Sequence, residues 1–193
     1  YGRSASSAAG SLTGPSLVTL ASLFVPLVAL ALGYDAIVGE RERNTLGLLL
    51  SLPVSRSEVV LAKFVGRGLA LTIAVLVGLG AAMLLAGEGE SQTLASLIGP
   101  TLLLGWAFVS IGMLVSTVAP RQSIATSLVV VLWFLLVFFY DLGLLGLLVA
   151  TDGEIPQGTV QALVLANPAG LYRLQLVESL SGTQALSDLG LTS

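Results

Sequence analysis

Four runs of this 193-residue sequence are long, apolar and free of Lys and Arg: Ser16–Tyr34, Gly68–Ala86, Leu97–Val118 and Ile124–Ala150. Crossing about 30 Å of hydrocarbon takes roughly 20 helical residues at about 1.5 Å each, and every run meets or approaches that length. Backbone in lipid must satisfy its own hydrogen bonds, so the expected fold is an all-α, polytopic membrane protein with four spans. A mean hydropathy of +0.97, with 55 % hydrophobic and 10 % charged residues, points the same way. Among the four runs only the last holds an acid, Asp141.

Basic residues set the orientation. Arg41, Arg43, Arg56, Lys63 and Arg67 follow the first run, and Arg121 lies between the third and fourth, so both places are expected on the cytoplasmic side. The other side receives "GEGESQ" (87–92) and "TDGEIPQG" (151–158), which carry acids and no base. The spans then alternate inward, outward, inward, outward, which places the tail 151–193 outside. Within that tail "VQALVLA" is too short to span. "NPAGLYRLQLVESLSG" spaces Leu171, Leu174 and Val177 near a helical period, so a short amphipathic helix on the outer surface is expected. The chain starts with Tyr1 in a Ser/Gly/Ala-rich stretch without signal-peptide features, and it stops outside without a closing span. It is therefore expected to be a single transmembrane domain truncated at both ends.

The charge that the spans lack is gathered in "YDAIVGERERNTLGLLLSLPVSRSEVVLAKF", residues 34–64. Glu40 and Arg43 stand three apart with the acid first, a pair that favours helix by a few tenths of a kcal/mol. "TLGLLLSL" follows, and Pro53 ends the helix. Ser55 and Glu58 then form an S-x-x-E capping box that opens a new helix at Arg56. Running to Ala86, that helix is about 46 Å long, roughly 16 Å more than the hydrocarbon needs, so its first turns project into the cytoplasm. Arg56, Lys63 and Arg67 fall on one face of the projection, a pattern that suits a stripe snorkelling to anionic headgroups. A connector needs few residues, and leucines beside charges suit a docking surface better than a solvated loop helix.

A span followed by G-E-x-E-x-x-T-L-x-L-L-L, a proline and an Arg-bearing restart resembles the cytoplasmic coupling segment of ABC exporter permeases of the type-2 superfamily. The order of spans is similar to the second to fifth helices of those six-helix subunits. "YDAIVGE", "AKFVGRGL", "FFYDLGLLGLLV" and "NPAGLYRL" resemble the NosY-type branch, the permease of the nitrous oxide reductase maturation system. The resemblance implies a permease homodimer in the cell membrane, each copy seating its coupling helix on a separate ABC ATPase subunit. ATP-driven closure would move residues 40–52, and the helix from Arg56 would carry the movement through the bilayer as a nearly rigid lever. On that basis Glu40, Arg41, Glu42, Arg43 and Thr45 are expected to give polar register at the ATPase, with Leu46, Leu49 and Leu50 supplying apolar contact. The branch further implies an extracytoplasmic maturation protein as partner. Asn167, Pro168, Tyr172 and Arg173 are the candidates for that contact, although an interfacial helix anchored by Tyr and Arg has the same look.

Composition limits the chemistry. The sequence has no P-loop and a single lysine, so ATP and Mg are expected on the partner ATPase and no cofactor on this chain. It has no His and no Cys, and Met83 and Met113 sit on different spans, so copper passage is poorly furnished and a sulfur species or a mechanical role fits better. Neither nucleic-acid binding nor intramembrane catalysis is expected: the net charge is −3, no G-x-S-x-G occurs, and Asp35 and Asp141 sit at opposite membrane boundaries. Each of these acids is a functional candidate at membrane depth, or a capping or solvated group at its edge. A scaffold without transport, and an exporter of lipid, drug or peptide, are the other readings that keep the spans.

Overall fold

In the computed structural model the described residues are 19–45, 47, 53–85, 88–151 and 156–172, and they are helical apart from turns and bends, with no strand. Helix α1 covers residues 19–33; a turn through residues 34–37 leads into α2, Val38–Glu42. Helix α3 is Arg56–Leu85 and α4 is Glu88–Val118. The fourth span consists of α5, Gln122–Phe134, a π-helical turn, Leu135–Phe139, and α6, Tyr140–Ala150. Helix α7, Gln157–Ala166, is followed by a last helical stretch at residues 168–172. Among the described residues four stretches are long and apolar enough to cross a membrane: Thr19–Glu42, Arg56–Leu85, Leu94–Val118 and Gln122–Ala150.

The third span is the hub. Its membrane window is 50 % buried and that of the first span 44 %, against 11 % for each of the other two. Leu104, Phe108, Val109 and Val115 of α4 share one apolar core with Ala29 and Leu30 of α1, Leu71 of α3, and Ala125 and Val129 of α5. Glycines set how closely the helices approach. A Cβ on Gly33 would stand 2.8 Å from Gly112 Cα and from Val109 O, so α1 and α4 cross backbone to backbone. Between α3 and α4 the partners are unequal in size: the Trp106 ring covers Gly68, and the Trp106 indole N–H donates to Thr72 Oγ1 at 3.1 Å.

The capping box forms as expected. Ser55 N–H donates to Glu58 Oε2 at 2.8 Å, and Glu58 N–H to Ser55 Oγ at 3.3 Å. Helix α4 begins at Glu88, ahead of the apolar run, because a helix need not stop where the hydrocarbon does. The fourth span carries the π turn at its middle. One expectation is corrected. Of the "NPAGLYRLQLVESLSG" stretch expected as an amphipathic helix on the outer surface, residues 167–172 pack against the bundle, and the rest, with Leu174 and Val177, lies outside the described residues. Asn167 is fully buried and donates from Nδ2 to Leu136 O at 2.7 Å, while the Tyr140 hydroxyl donates to Leu163 O. Leu136 is about 22 Å along the helix from Arg121, short of the far edge of a hydrocarbon core about 30 Å thick. The α7 segment therefore packs against the fourth span at the depth of its middle. Non-helical backbone at that depth has to be satisfied within the protein. It is: Asn167 N–H donates to Val164 O, and Asn167 Oδ1 accepts Ala169 N–H at 3.1 Å.

Candidate functional site

The charged segment is built from the crossing of α1 and α4 outward. Because Gly33 and Gly112 let the two backbones touch, the turn after α1 falls beside Ser116 of α4. Ser116 is fully buried, and its Oγ accepts two backbone N–H groups, from Ile37 at 2.9 Å and Val38 at 3.0 Å. The start of α2 has no cap from its own N-cap side chain, Ile37. A residue 78 positions away supplies the acceptor that a Ser, Thr or Asp at the helix start normally provides.

Every charged residue of "ERER" is engaged within the chain. Glu40 pairs with Lys63 of α3, both side chains being mostly buried. Arg41 donates to Ala119 O at 3.1 Å and to Thr117 O at 3.3 Å, which satisfies carbonyls at the end of α4. Glu42 Oε1 accepts Gln122 N–H at 2.8 Å, a charged acceptor at the start of α5. Arg43 pairs with Asp35 at 3.1 Å. Arg67 reaches back to Leu32 O at the end of α1. The segment is thereby tied to all four spans at one end of the bundle.

Two local expectations give way to these longer-range bonds. The Glu40–Arg43 pair does not form, because Lys63 and Asp35 are better placed for each. Lys63 and Arg67 turn toward α1 and α2 and not to headgroups, which leaves Arg56 as the exposed member of that stripe. Asn44 takes a left-handed backbone, φ 58°, and ends the α2 turn, a conformation an Asn tolerates better than most residues. Thr45 is exposed, and its hydroxyl donates to Glu40 O at 3.3 Å. Leu46, Leu49 and Leu50 lie outside the described residues. Asp35 Oδ1 and Glu40 Oε2 are buried with no hydrogen-bond partner among the described residues. The Asp35 carboxylate occupies the room that a side chain on Gly39 would take.

The outer candidates are arranged differently. Asn167 and Tyr172 face the bundle: Tyr172 is 2 % exposed, and its hydroxyl lies 3.2 Å from the buried Thr101 hydroxyl of α4. Pro168 is half-buried beside them, and Arg173 lies outside the described residues. Asp141 is half-buried in the first turn of α6, directly after the π turn. Inner and outer candidates form two separate groups. No cluster of three or more His, Cys, Asp or Glu suited to a metal occurs among the described residues. Ser116, Thr117 and Gln122 were not singled out from the sequence, though a polar Ser-Thr pair closing an apolar run before "AP" is a visible mark of a helix end needing partners.

A membrane chain with a charged segment bound to all four spans is matched by known proteins. Residues 4–192 fit the family described as ABC-2 family transporter protein. The chain is 42 % identical over 170 residues to the probable ABC transporter permease protein NosY of Pseudomonas aeruginosa, covering 84 % of this chain and 62 % of that protein. It is 41 % identical over 176 residues to the probable ABC transporter permease protein NosY of Stutzerimonas stutzeri, covering 87 % of this chain and 64 % of that protein. The chain thus spans less than two thirds of the length of these relatives. Four apolar spans among the described residues, one charged segment bound to each of them, and a family match over almost every residue have one common explanation: the chain belongs to the ABC-2 family of transporter proteins.

Proposed function

We propose that this chain is the membrane part of an ABC transporter permease that couples ATP hydrolysis by a separate ATPase subunit to export or mechanical transmission across the cell's inner or cytoplasmic membrane. The observation that carries the reading is the set of bonds from Glu40, Arg41, Glu42, Arg43 and Ser116 that binds the segment to all four spans. A push on a segment so held reaches four helices at once, whereas a hinged loop would absorb it. The ATPase would seat on Thr45 and the Leu46–Leu50 stretch that follows, with Glu40–Arg43 fixing the segment's register by holding it to the spans. ATP and Mg belong to the ATPase, and two copies of the permease would pair. The cargo we favour is a sulfur species for the copper centre of nitrous oxide reductase, delivered with an extracytoplasmic maturation protein, in keeping with the NosY-type resemblance.

Coupling is tested by reversing Arg41 and Arg43 together to Glu. The expected result is loss of ATPase copurification and of transport; unchanged association and transport would overturn the assignment. Cargo is tested by deleting the gene in a source organism that carries nitrous oxide reductase. Loss of the catalytic copper centre with the other copper site retained supports maturation. An unaltered spectrum returns the chain to the exporters of lipid, drug or peptide.

A further inference from the structure

The fourth span changes character at its π turn, Leu135–Phe139. Such a turn holds one residue more than the α-helix around it, so its carbonyls fall out of step with the helical donors and can take one from outside. Asn167 supplies it: the fully buried side chain donates from Nδ2 to Leu136 O at 2.7 Å. Before the turn, α5 is fixed to the bundle, with Ala125 and Val129 in the core and the Trp133 indole N–H donating to Leu23 O of α1 at 3.0 Å. Beyond the turn, α6 has no buried residue. A groove of about 250 Å³ lies between α6 and Leu163 of α7, walled by Leu135, Phe139, Gly143 and Leu147. A Cβ on Gly143 would meet nothing within 4 Å, so the groove stands open at that position. Its neighbour Leu142 is 62 % exposed.

We propose that the π turn is a two-position register device, in which Asn167 holds the outer half of the fourth span in the position seen here. When the Asn167 amide leaves Leu136 O, the turn closes to α. Each residue of α6 then moves into the place of the one after it, about 1.5 Å along the axis and about 100° around it. The Leu142 side chain arrives where Gly143 was and fills the groove, while the Tyr140 hydroxyl loses its bond to Leu163 O. The two positions exchange polar bonds to the α7 segment for apolar contact with it. No core contact of α6 stands in the way, since it has none. Asn167 is in turn tied to the third span: at the end of the same stretch the Tyr172 hydroxyl lies 3.2 Å from the Thr101 hydroxyl of α4. Movement of α4 at Thr101 thus reaches the turn through residues 167–172.

The sequence has no cysteine, so a pair of spin labels can be placed on introduced ones in the full permease held in nanodiscs. Leu103→Cys on α4, where the side chain is 70 % exposed, carries one label, and Leu145→Cys or Gly146→Cys on α6 carries the other; pulsed electron resonance gives the distance. Asn167→Leu is expected to give the Leu145→Cys pair the distance that the Gly146→Cys pair gives in wild type, with a distribution as narrow. The wild-type distance retained, or a distribution that only broadens, would overturn the proposal. Should Asn167→Leu not assemble, Asn167→Ala takes its place in the same comparison. Deleting Phe139, the most exposed residue of the turn, removes the extra residue and leaves the facing of α6 unchanged. The deletion protein should fold, keep the wild-type distances and no longer respond to the change at Asn167. A deletion protein that unfolds or turns α6 would overturn the proposal. So would an equal response to the Asn167 change with and without Phe139, because a plain loss of packing acts on both alike.

Discussion

Replacing Ser116 by alanine removes one oxygen and leaves two buried donors without an acceptor. Ile37 N–H and Val38 N–H both end on Ser116 Oγ, and Val38 is fully buried while Ile37 is 8 % exposed. An unsatisfied buried N–H costs about 1–3 kcal/mol, so the pair amounts to roughly 2–4 kcal/mol once the turn shifts to recover part of the loss. That penalty falls on the local opening of residues 36–38 and not on the whole bundle, because α1 and α4 still cross at their glycines. Amide hydrogen exchange in nanodiscs reads it directly: a change of about 2 kcal/mol in opening speeds exchange about thirtyfold at Ile37 and Val38. Ser110→Ala is the control, since the exposed Ser110 hydroxyl bonds only Trp106 O of its own helix. Unchanged exchange at Ile37 and Val38 in a folded Ser116→Ala protein would refute the capping of α2 from the third span.

Three further outcomes follow from the geometry. Gly33→Ala or Gly112→Ala should cost about 1–3 kcal/mol by overpacking, visible as a lower melting temperature, while Gly66→Ala and Gly78→Ala, which open onto free space, should be neutral or stabilising. A double-mutant cycle of Glu40→Gln and Lys63→Met should show a coupling of about 1–3 kcal/mol in thermal unfolding, because each single change strands a mostly buried charge; strictly additive effects would discard the pair. Asn167→Leu should destabilise by about 1–3 kcal/mol by stripping Leu136 O of its donor and Ala169 N–H of its acceptor, and a melting temperature equal to wild type would mean the α7 segment does not reach the π turn.

What was legible in the sequence was what local chemistry decides. The spans follow from hydropathy, and the helix at Arg56 follows from the Ser55–Glu58 box, because both are set by residues within a few positions of each other. The charged segment was found by its composition, but its bonds were not, since the partners of Arg41, Glu42 and Ser116 lie 76 to 80 positions away and no local rule points to them. Local pairing predicted Glu40 with Arg43, and tertiary placement of Lys63 and Asp35 overrode a preference worth only tenths of a kcal/mol. The π turn carries neither Pro nor Gly to announce it. The outer segment was assigned to the surface because its apolar spacing fits an interfacial helix equally well. Only the depth of Leu136 and the burial of Asn167 separate the two forms.

The Gly33–Gly112 crossing divides the third span into unequal arms. From Gly112 to the end at Val118 is about 9 Å of helix, and to Leu94 at the other end about 27 Å. With no side chains meshed at the crossing, that point is the natural fulcrum. A displacement of about 1 Å at Val118 becomes nearly 2 Å at Thr101 and about 3 Å at Leu94 if the span turns as a rod. The short arm is the one Arg41 grips through Thr117 and Ala119, and the long arm is the one on which Tyr172 leans, so a small displacement at the charged segment would be geared into a larger one at the far end of the bundle.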